Sequence, residues 1–124
     1  MMWLLDTNAL IHLDKKRGSF LKSAKAIHTC IYSIIEYPVA MKYPNIALLF
    51  PKTSTYSSAI ESSGKLREAG VLIPCVDILI ATLAVENNLP LVSDDKHLEH
   101  FHSIEPRLNI IGLDAFLGRI TMSK

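Results

Sequence analysis

The sequence predicts an α/β protein, a three-layer α/β/α sandwich built around a small, mainly parallel sheet. Three observations carry that expectation. Short apolar runs suited to strands alternate with longer stretches of helical pattern, the order that gives a parallel sheet with helices on its faces. Three runs lead into a carboxylate: Trp3-Leu4-Leu5 into Asp6, Cys30-Ile31-Tyr32-Ser33 into the nearby Glu36, and Leu91-Val92-Ser93 into Asp94-Asp95. The 124 residues are 49% hydrophobic and 20% charged, enough apolar material for a real core and against a disordered chain.

The elements follow in order. The first strand stops at Asp6, and Asp6-Thr7-Asn8 offers N-cap chemistry to a helix through Ala9-Leu10-Ile11-His12-Leu13. Lys15, Lys16 and Arg17 suit the negative end of that helix, and Gly18 ends it. Ser19 can cap a second helix reaching about residue 27, before a strand over 30–33. The pattern over 34–42 is helical, with Pro38 confined to its first turn. Pro44, Asn45 and Pro51 punctuate the next stretch, with a short helix over 46–50 between them. A helix over 57–69 ends at Gly70, and one over about 76–87 ends at Asn87-Asn88 and Pro90. A strand over 91–93, a short helix over 96–101, a strand over 108–111 and a helix from Asp114 complete one domain spanning 1–124. No repeat, low-complexity tract or linker interrupts it.

Charge and cysteine content limit the function classes. The 13 Lys and Arg almost balance 12 Asp and Glu, so net charge alone says nothing about nucleic acid. If four or five acids hold a metal, the remaining surface is basic, which suits a polyanionic substrate; ordinary solvated lysines explain any single one equally well. Cys30 and Cys75, flanked by apolar residues, read as buried free thiols of a reducing cytosol. No leader is visible, and the most apolar stretch, 71–85, contains Pro74 and Asp77 and is shorter than the roughly 20 residues a bilayer requires. The expectation is a cytoplasmic protein without a membrane span.

The chemistry lies in the acids. Ligands of parallel sheets bind at the carboxyl ends of the strands, so Asp6, Glu36 and Asp94-Asp95 converge on one place, and Asp77 lies in a helix otherwise apolar. Each has a dull explanation. Asp6 can be an N-cap, Asp77 a partner of a helix dipole, Glu36 a solvated residue, and Asp94-Asp95 a turn. Together they are harder to dismiss, because gathered carboxylates repel one another unless a cation lies between them. All-oxygen ligands suit Mg²⁺ or Mn²⁺, and the chain reads as a metal-dependent hydrolase of phosphate esters. His97, His100 and His102 lie near Asp95 in sequence, but neither cysteine does; a zinc site is the poorer reading, and the histidines are assigned to a solvated helix and loop. No Gly-rich phosphate loop, GxSxG or Ser-His-Asp set competes.

Four segments, in order, resemble PIN-domain nucleases. Leu4-Leu5-Asp6-Thr7-Asn8-Ala9-Leu10 is similar to the family's opening LLDTNxL, and Ser33-Ile34-Ile35-Glu36-Tyr37-Pro38 to its second acidic motif. Asp77-Ile78-Leu79-Ile80-Ala81-Thr82-Leu83-Ala84 resembles its DxxIAxxA helix, and the stretch from Asn88 to Leu98 its GLPLVTxDxxF segment. Departures are mild: Ser93 for the commoner Thr, Leu98 for Phe and Asn88 for Gly. The resemblance implies that Asp6, Glu36, Asp77 and Asp95 hold one or two Mg²⁺ or Mn²⁺ ions. It places Asn8, Ser33 and Ser93 around them; Asp94, at a position that varies in the family, is read as a neighbour of the site with Asp95 as the fourth acid, and Lys15, Lys16, Arg17 and Lys96 are the cations read as facing RNA. It also implies an endoribonuclease of the VapC class of toxins, a homodimer partnered by a small antitoxin. An RNA-processing or decay nuclease without an antitoxin, and a PIN scaffold lacking catalysis, are the alternatives. The apolar Ile46-Ala47-Leu48-Leu49-Phe50 is the expected dimer contact.

Overall fold

The computed structural model describes residues 2–122. Five parallel strands form one sheet in the order β3-β2-β1-β4-β5. They are β1 (Trp3–Leu5), β2 (Ile27–Cys30), β3 (Ala47–Leu49), β4 (Leu91–Val92) and β5 (Ile110–Ile111). The helices are α1 (Thr7–Lys16), α2 (Gly18–Ser23), α3 (Ile31–Glu36), α4 (Thr53–Glu68), α5 (Cys75–Glu86), α6 (His97–Ile104) and α7 (Leu113–Met122), with a 3-10 turn at Pro38–Lys42. Register is set centrally: Leu5 of β1 lies opposite Thr29 on one side and Val92 on the other.

Strand alternation divides the interior into two layers. Trp3, Leu5, Ile27, Val92 and Ile111 meet α1, α2 and α7 through Leu10, Leu13, Leu21 and Phe116. Leu4, Cys30 and Leu91 face the opposite way, against Leu66 of α4, Leu79 and Leu83 of α5, and Leu98 and Phe101 of α6. Because helices cover both faces, β1, β3, β4 and β5 are continuously apolar rather than alternating, as buried parallel strands are, while β2 carries His28 and the buried Thr29, whose hydroxyl donates to Leu5 O. Trp3 meets Phe116 edge-to-face at 5.1 Å between ring centroids. The α/β/α sandwich expected from the sequence is the observed fold.

Helix α4 starts at Thr53, four residues before the expected 57, and three further elements differ from the sequence-based expectation in place or kind. The second strand is Ile27–Cys30, three residues earlier than expected, and helix α3 starts at Ile31. Pairing with β1 decides this: Trp3, Leu4 and Leu5 need Ile27, His28 and Thr29 as ladder partners, and the helix expected to reach 27 stops at Ser23. The predicted helix over 34–42 is two pieces. Pro38 has no N–H to donate and disfavours helical geometry at Tyr37, whose φ of −138° and ψ of 71° end α3. The predicted helix over 46–50 is the edge strand β3; Ala47, Leu48 and Leu49 pair with His28, Thr29 and Cys30. Leu48 packs on one core layer and Leu49 on the other, a period of two that a five-residue window between prolines could not reveal. Cys30 is fully buried as expected, but Cys75 opens α5 and is exposed.

Two helix ends aim the chain back into the sheet. After α4, Val71 N–H donates to Leu66 O (2.8 Å) and Gly70 N–H to Arg67 O (3.0 Å), with Gly70 at φ +75°. After α5, Leu89 N–H donates to Ala84 O (2.9 Å) and Asn88 N–H to Val85 O (3.2 Å), with Asn88 at φ +53°. Both are Schellman closures, which need a left-handed residue; Asn tolerates that conformation best after Gly. Asn88 therefore serves where a Gly is common. Among the described residues no helix is long and apolar enough to cross a membrane.

Candidate metal centre

The chain runs from β1 outward to β2 and β3, then returns to β4 on the other side of β1. Beyond the carboxyl ends of β1 and β4 lies the switch point where a doubly wound sheet opens a crevice for ligands. Asp6 directly follows β1 there, and Ser93-Asp94-Asp95 follow β4. Asp77 reaches the crevice from the first turn of α5, and Glu36 from the last residue of α3, which grows straight out of β2.

Asp6 is 95% buried, with 5% of its surface exposed. It is the N-cap of α1: its Oδ1 accepts the Ala9 N–H at 2.8 Å, and the Ser93 hydroxyl donates to the same carboxylate. Burial pushes its pKa above the usual carboxylate range, the two hydrogen bonds oppose that rise, and the charges of Asp95 and Asp94 add to it. The N-cap reading of Asp6 and its place among the acids are therefore compatible, since one carboxylate does both. Asp77 is pushed up to about 6, first by burial, then by the charge of Asp95 and a hydrogen bond with it, then by the charges of Asp6 and Glu36. A single carboxyl thus senses the other three. The ion pairs of Lys42, Lys65 and Arg107 go to Asp14, Glu61 and Glu105, not to these acids.

Small polar groups hold the acids in place. Thr7 Oγ1 donates to Glu36 Oε1 at 2.6 Å and lies 3.0 Å from Ser33 Oγ. Ser33 and Ser93 are both buried, and Ser93 Oγ accepts the Asp95 N–H at 3.0 Å. Thr7 is a site residue that the sequence pattern does not mark, and its one signal is its position between Asp6 and Asn8. Asp95 Oδ1 accepts the His97 N–H at 2.9 Å, and His97 Nδ1 lies 3.3 Å from the same oxygen. Asp77, Asp95 and His97 each offer a ligand atom within 4.8 Å of the others. The histidine cluster assigned to a solvated surface is thus divided: His102 Nδ1 bonds Leu108 O, His100 is exposed, and His97 joins the acids.

The remaining candidates fall elsewhere. Asp94 turns to the opposite side, where its Oδ1 accepts the Leu113 N–H at 2.9 Å and caps α7. Gly112 makes room for it, since a Cβ there would lie 3.1 Å from that oxygen. Asn8 is exposed on the first turn of α1. Lys15, Lys16 and Arg17 are exposed at the far end of α1, about 15 Å along the helix from Asp6 at 1.5 Å per residue. Lys96 adjoins Asp95 and lines a crevice of about 540 Å³ with Ser93, Asp94 and Asp95. The acids offer carboxylate oxygen, with Asp6 buried, Asp77 and Asp95 half-buried and Glu36 exposed, and among the described residues no Lys or Arg ion pair is made to them, so they fit a hard divalent cation.

No family model and no curated protein matches the sequence. Solved structures do match it. A chain of the DNA-bound VapBC structure from Salmonella typhimurium aligns with a TM-score of 0.74 at 17% identity, covering 91% of this chain and 98% of that one. The promoter-DNA-bound VapBC2 structure from Rickettsia felis gives 0.69 at 18% identity, with 90% and 98% covered. PAE2754 from Pyrobaculum aerophilum gives 0.68 at 17% identity, with 98% and 96% covered. This chain has the PIN-domain fold. At such identities the likeness establishes the PIN architecture, over nearly the whole length of each chain compared.

Proposed function

We propose that this PIN-fold chain is a Mg²⁺- or Mn²⁺-dependent endoribonuclease, working as one domain in the cytoplasm as the toxin of a toxin–antitoxin pair. The observation that carries the reading is the crowding of four carboxylates at the switch point, with Asp77 raised to about 6 by burial and by the other three. Uncompensated, that arrangement is costly; with a cation it becomes a binding site. Asp6, Asp77 and Asp95 are the residues that would hold the metal, with Glu36 as a further ligand. A bound Mg²⁺ or Mn²⁺ supplies positive charge opposite a scissile phosphate and lowers the pKa of a coordinated water.

The chain's own residues prepare for that work. Asp6 is fixed by the Ala9 N–H and the Ser93 hydroxyl, Glu36 by Thr7, and Asp95 by the His97 N–H, so the ligands are oriented before any ion arrives. Lys96, beside Asp95, is placed to meet the phosphate backbone of RNA. The toxin role is supported by the similar structures, several of which are VapBC complexes and one a toxin–antitoxin complex from Klebsiella pneumoniae. That role entails a small antitoxin that covers the crevice, and the exposed apolar side chains support a homodimer.

The test is cleavage of single-stranded and stem-loop RNA by the purified chain. We expect activity with Mg²⁺ or Mn²⁺, none in EDTA, and a loss of at least about 100-fold for Asp6→Asn with the fold retained, the scale of a catalytic group removed. Undiminished cleavage in EDTA would exclude the metal mechanism. Suppression of the cleavage by the product of an adjoining small gene would identify the antitoxin.

A further inference from the structure

We propose that His97 is a ligand of the same metal centre, giving it a mixed oxygen–nitrogen donor set that favours Mn²⁺ over Mg²⁺. The proposal rests on the metal-nuclease reading and assigns to the site a residue outside its acidic quartet. His97 is the first residue of α6, and its main-chain N–H already donates to Asp95 Oδ1 at 2.9 Å. That turn holds the ring against the same carboxylate, with Nδ1 at 3.3 Å from Oδ1. Two donors at right angles on an ion with bonds of about 2.1 Å lie roughly 3 Å apart, so this pair is already near the spacing of adjacent ligands. Asp77 completes the group, with one ligand atom of each residue within 4.8 Å of the other two. His100 and His102 offer no such arrangement, since one is exposed and the other bonds Leu108 O.

The donor chemistry gives the selectivity. Mg²⁺ binds oxygen and retains its waters, whereas imidazole nitrogen suits first-row transition ions, of which Mn²⁺ is the weakest binder and the one that also suits carboxylate oxygen. A neutral imidazole also completes a coordination shell without adding another negative charge to a crevice that already holds four acids. The competing account makes His97 a protonated counter-charge for Asp95. The two accounts predict opposite signs. A counter-charge competes with the metal, so its removal strengthens binding of both ions; a ligand's removal weakens Mn²⁺ selectively.

The experiment uses the full chain at both mildly acid and mildly alkaline pH, so that a counter-charge and a neutral ligand are each given the condition in which they act. Mn²⁺ and Mg²⁺ are titrated calorimetrically into wild type, His97→Ala, His97→Gln and Asp6→Asn, and the Mn²⁺-loaded proteins are examined by pulsed electron paramagnetic resonance for ¹⁴N coupling. We expect imidazole nitrogen coupling in wild type and none in His97→Ala. Loss of the ligand should weaken Mn²⁺ about tenfold, equivalent to 1.4 kcal/mol, with Mg²⁺ within about twofold of wild type. His97→Gln should keep the fold and lose the coupling. Absence of nitrogen coupling in wild type, or equal changes for both metals, overturns the assignment of His97 while wild-type metal binding and RNA cleavage leave the nuclease reading intact. Failure of wild type to bind either metal, or Mn²⁺ affinity undiminished in Asp6→Asn, overturns both.

Discussion

Asp77 shows why an acid that looks misplaced in sequence is informative in structure. Residues 78–84 around it are all buried, and its own carboxyl is raised to about 6 mainly by burial and by Asp95. The sign of its contribution to stability follows. A carboxyl whose folded pKa exceeds its unfolded value near 3.8 carries no penalty below that pH, and the metal-free protein loses stability as pH rises from there through about 6. We therefore expect Asp77→Asn to stabilise the protein in EDTA at neutral pH by on the order of 1 kcal/mol, given the solvent contact the group retains, which is read as a raised thermal midpoint, and to flatten the dependence between pH 4 and 7. At the same time it should abolish Mn²⁺ binding and RNA cleavage. Thermal melts across pH decide this: a midpoint lowered at neutral pH would return Asp77 to a helix-dipole role. Asp6 and Asp95 were legible in the sequence because strand-end position fixes where a carboxylate goes, whereas Glu36 and Asp77 arrive on helices, α3 and α5, whose packing a linear pattern does not give. His97 was not, because spacing among three histidines carries no information about which ring the turn after Asp95 will hold beside it.

At the scale of elements, the segment between α1 and β3 was the least legible part of the chain, and it is held by a polar knot rather than by apolar pattern. Asp14 of α1 accepts hydrogen bonds from Tyr37 (2.5 Å) and Tyr43, and its Oδ1 lies 2.9 Å from Lys42 Nζ. These three partners flank or belong to the 3-10 turn that Pro38 forces, so one carboxylate ties α1 to the end of α3 and to the turn. Only 6% of the Asp14 side chain is exposed. Lys42, followed by Tyr37 and Tyr43, holds it down at about 2. Such a group stabilises the fold above its unfolded pKa, and the contribution is lost as pH falls through about 2. Asp14→Asn should cost about 1.5–3 kcal/mol at neutral pH, the range for hydrogen bonds to a charged partner, and converge with wild type in acid. Urea unfolding at neutral and strongly acid pH measures both; a difference of the same size at each would exclude the charge as its source. Nothing in a linear pattern signals this knot, since Asp14 stands 23 and 29 residues from the two tyrosines. The same long-range dependence explains the shifted second strand, which only its pairing with β1 defines.

The whole molecule gathers its acids beyond the carboxyl ends of its inner strands β1 and β4 and leaves apolar side chains exposed elsewhere. Phe50 (60% exposed) follows the edge strand β3, and Ile60 (73%) stands one turn after Tyr56 (42%) on α4. Tyr56 and Ile60 belong to an apolar groove of about 430 Å³, also lined by Tyr32, Cys75, Val76 and Leu79, where the Tyr32 and Tyr56 hydroxyls meet at 2.6 Å. Exposed apolar area of this kind marks an interface more often than a free surface. The segment 46–50 was expected to form the contact as a helix, but as a strand it turns Leu48 and Leu49 into the core layers and leaves Phe50 outside. Leu49→Asp would therefore test folding rather than assembly, and the informative substitutions are Phe50→Asp and Ile60→Asp. The expectation is a homodimer of about twice 13.8 kDa by light scattering, dissociated by whichever of the two lies in the twofold contact, with the circular dichroism of the fold preserved. Retention of the dimer by both variants would move the interface to the exposed Ile35, Val39 and Met41 beside the 3-10 turn. A monomer at high micromolar concentration would exclude the dimer while leaving the acids and His97 where they are, since every ligand of the candidate metal centre comes from within a single chain.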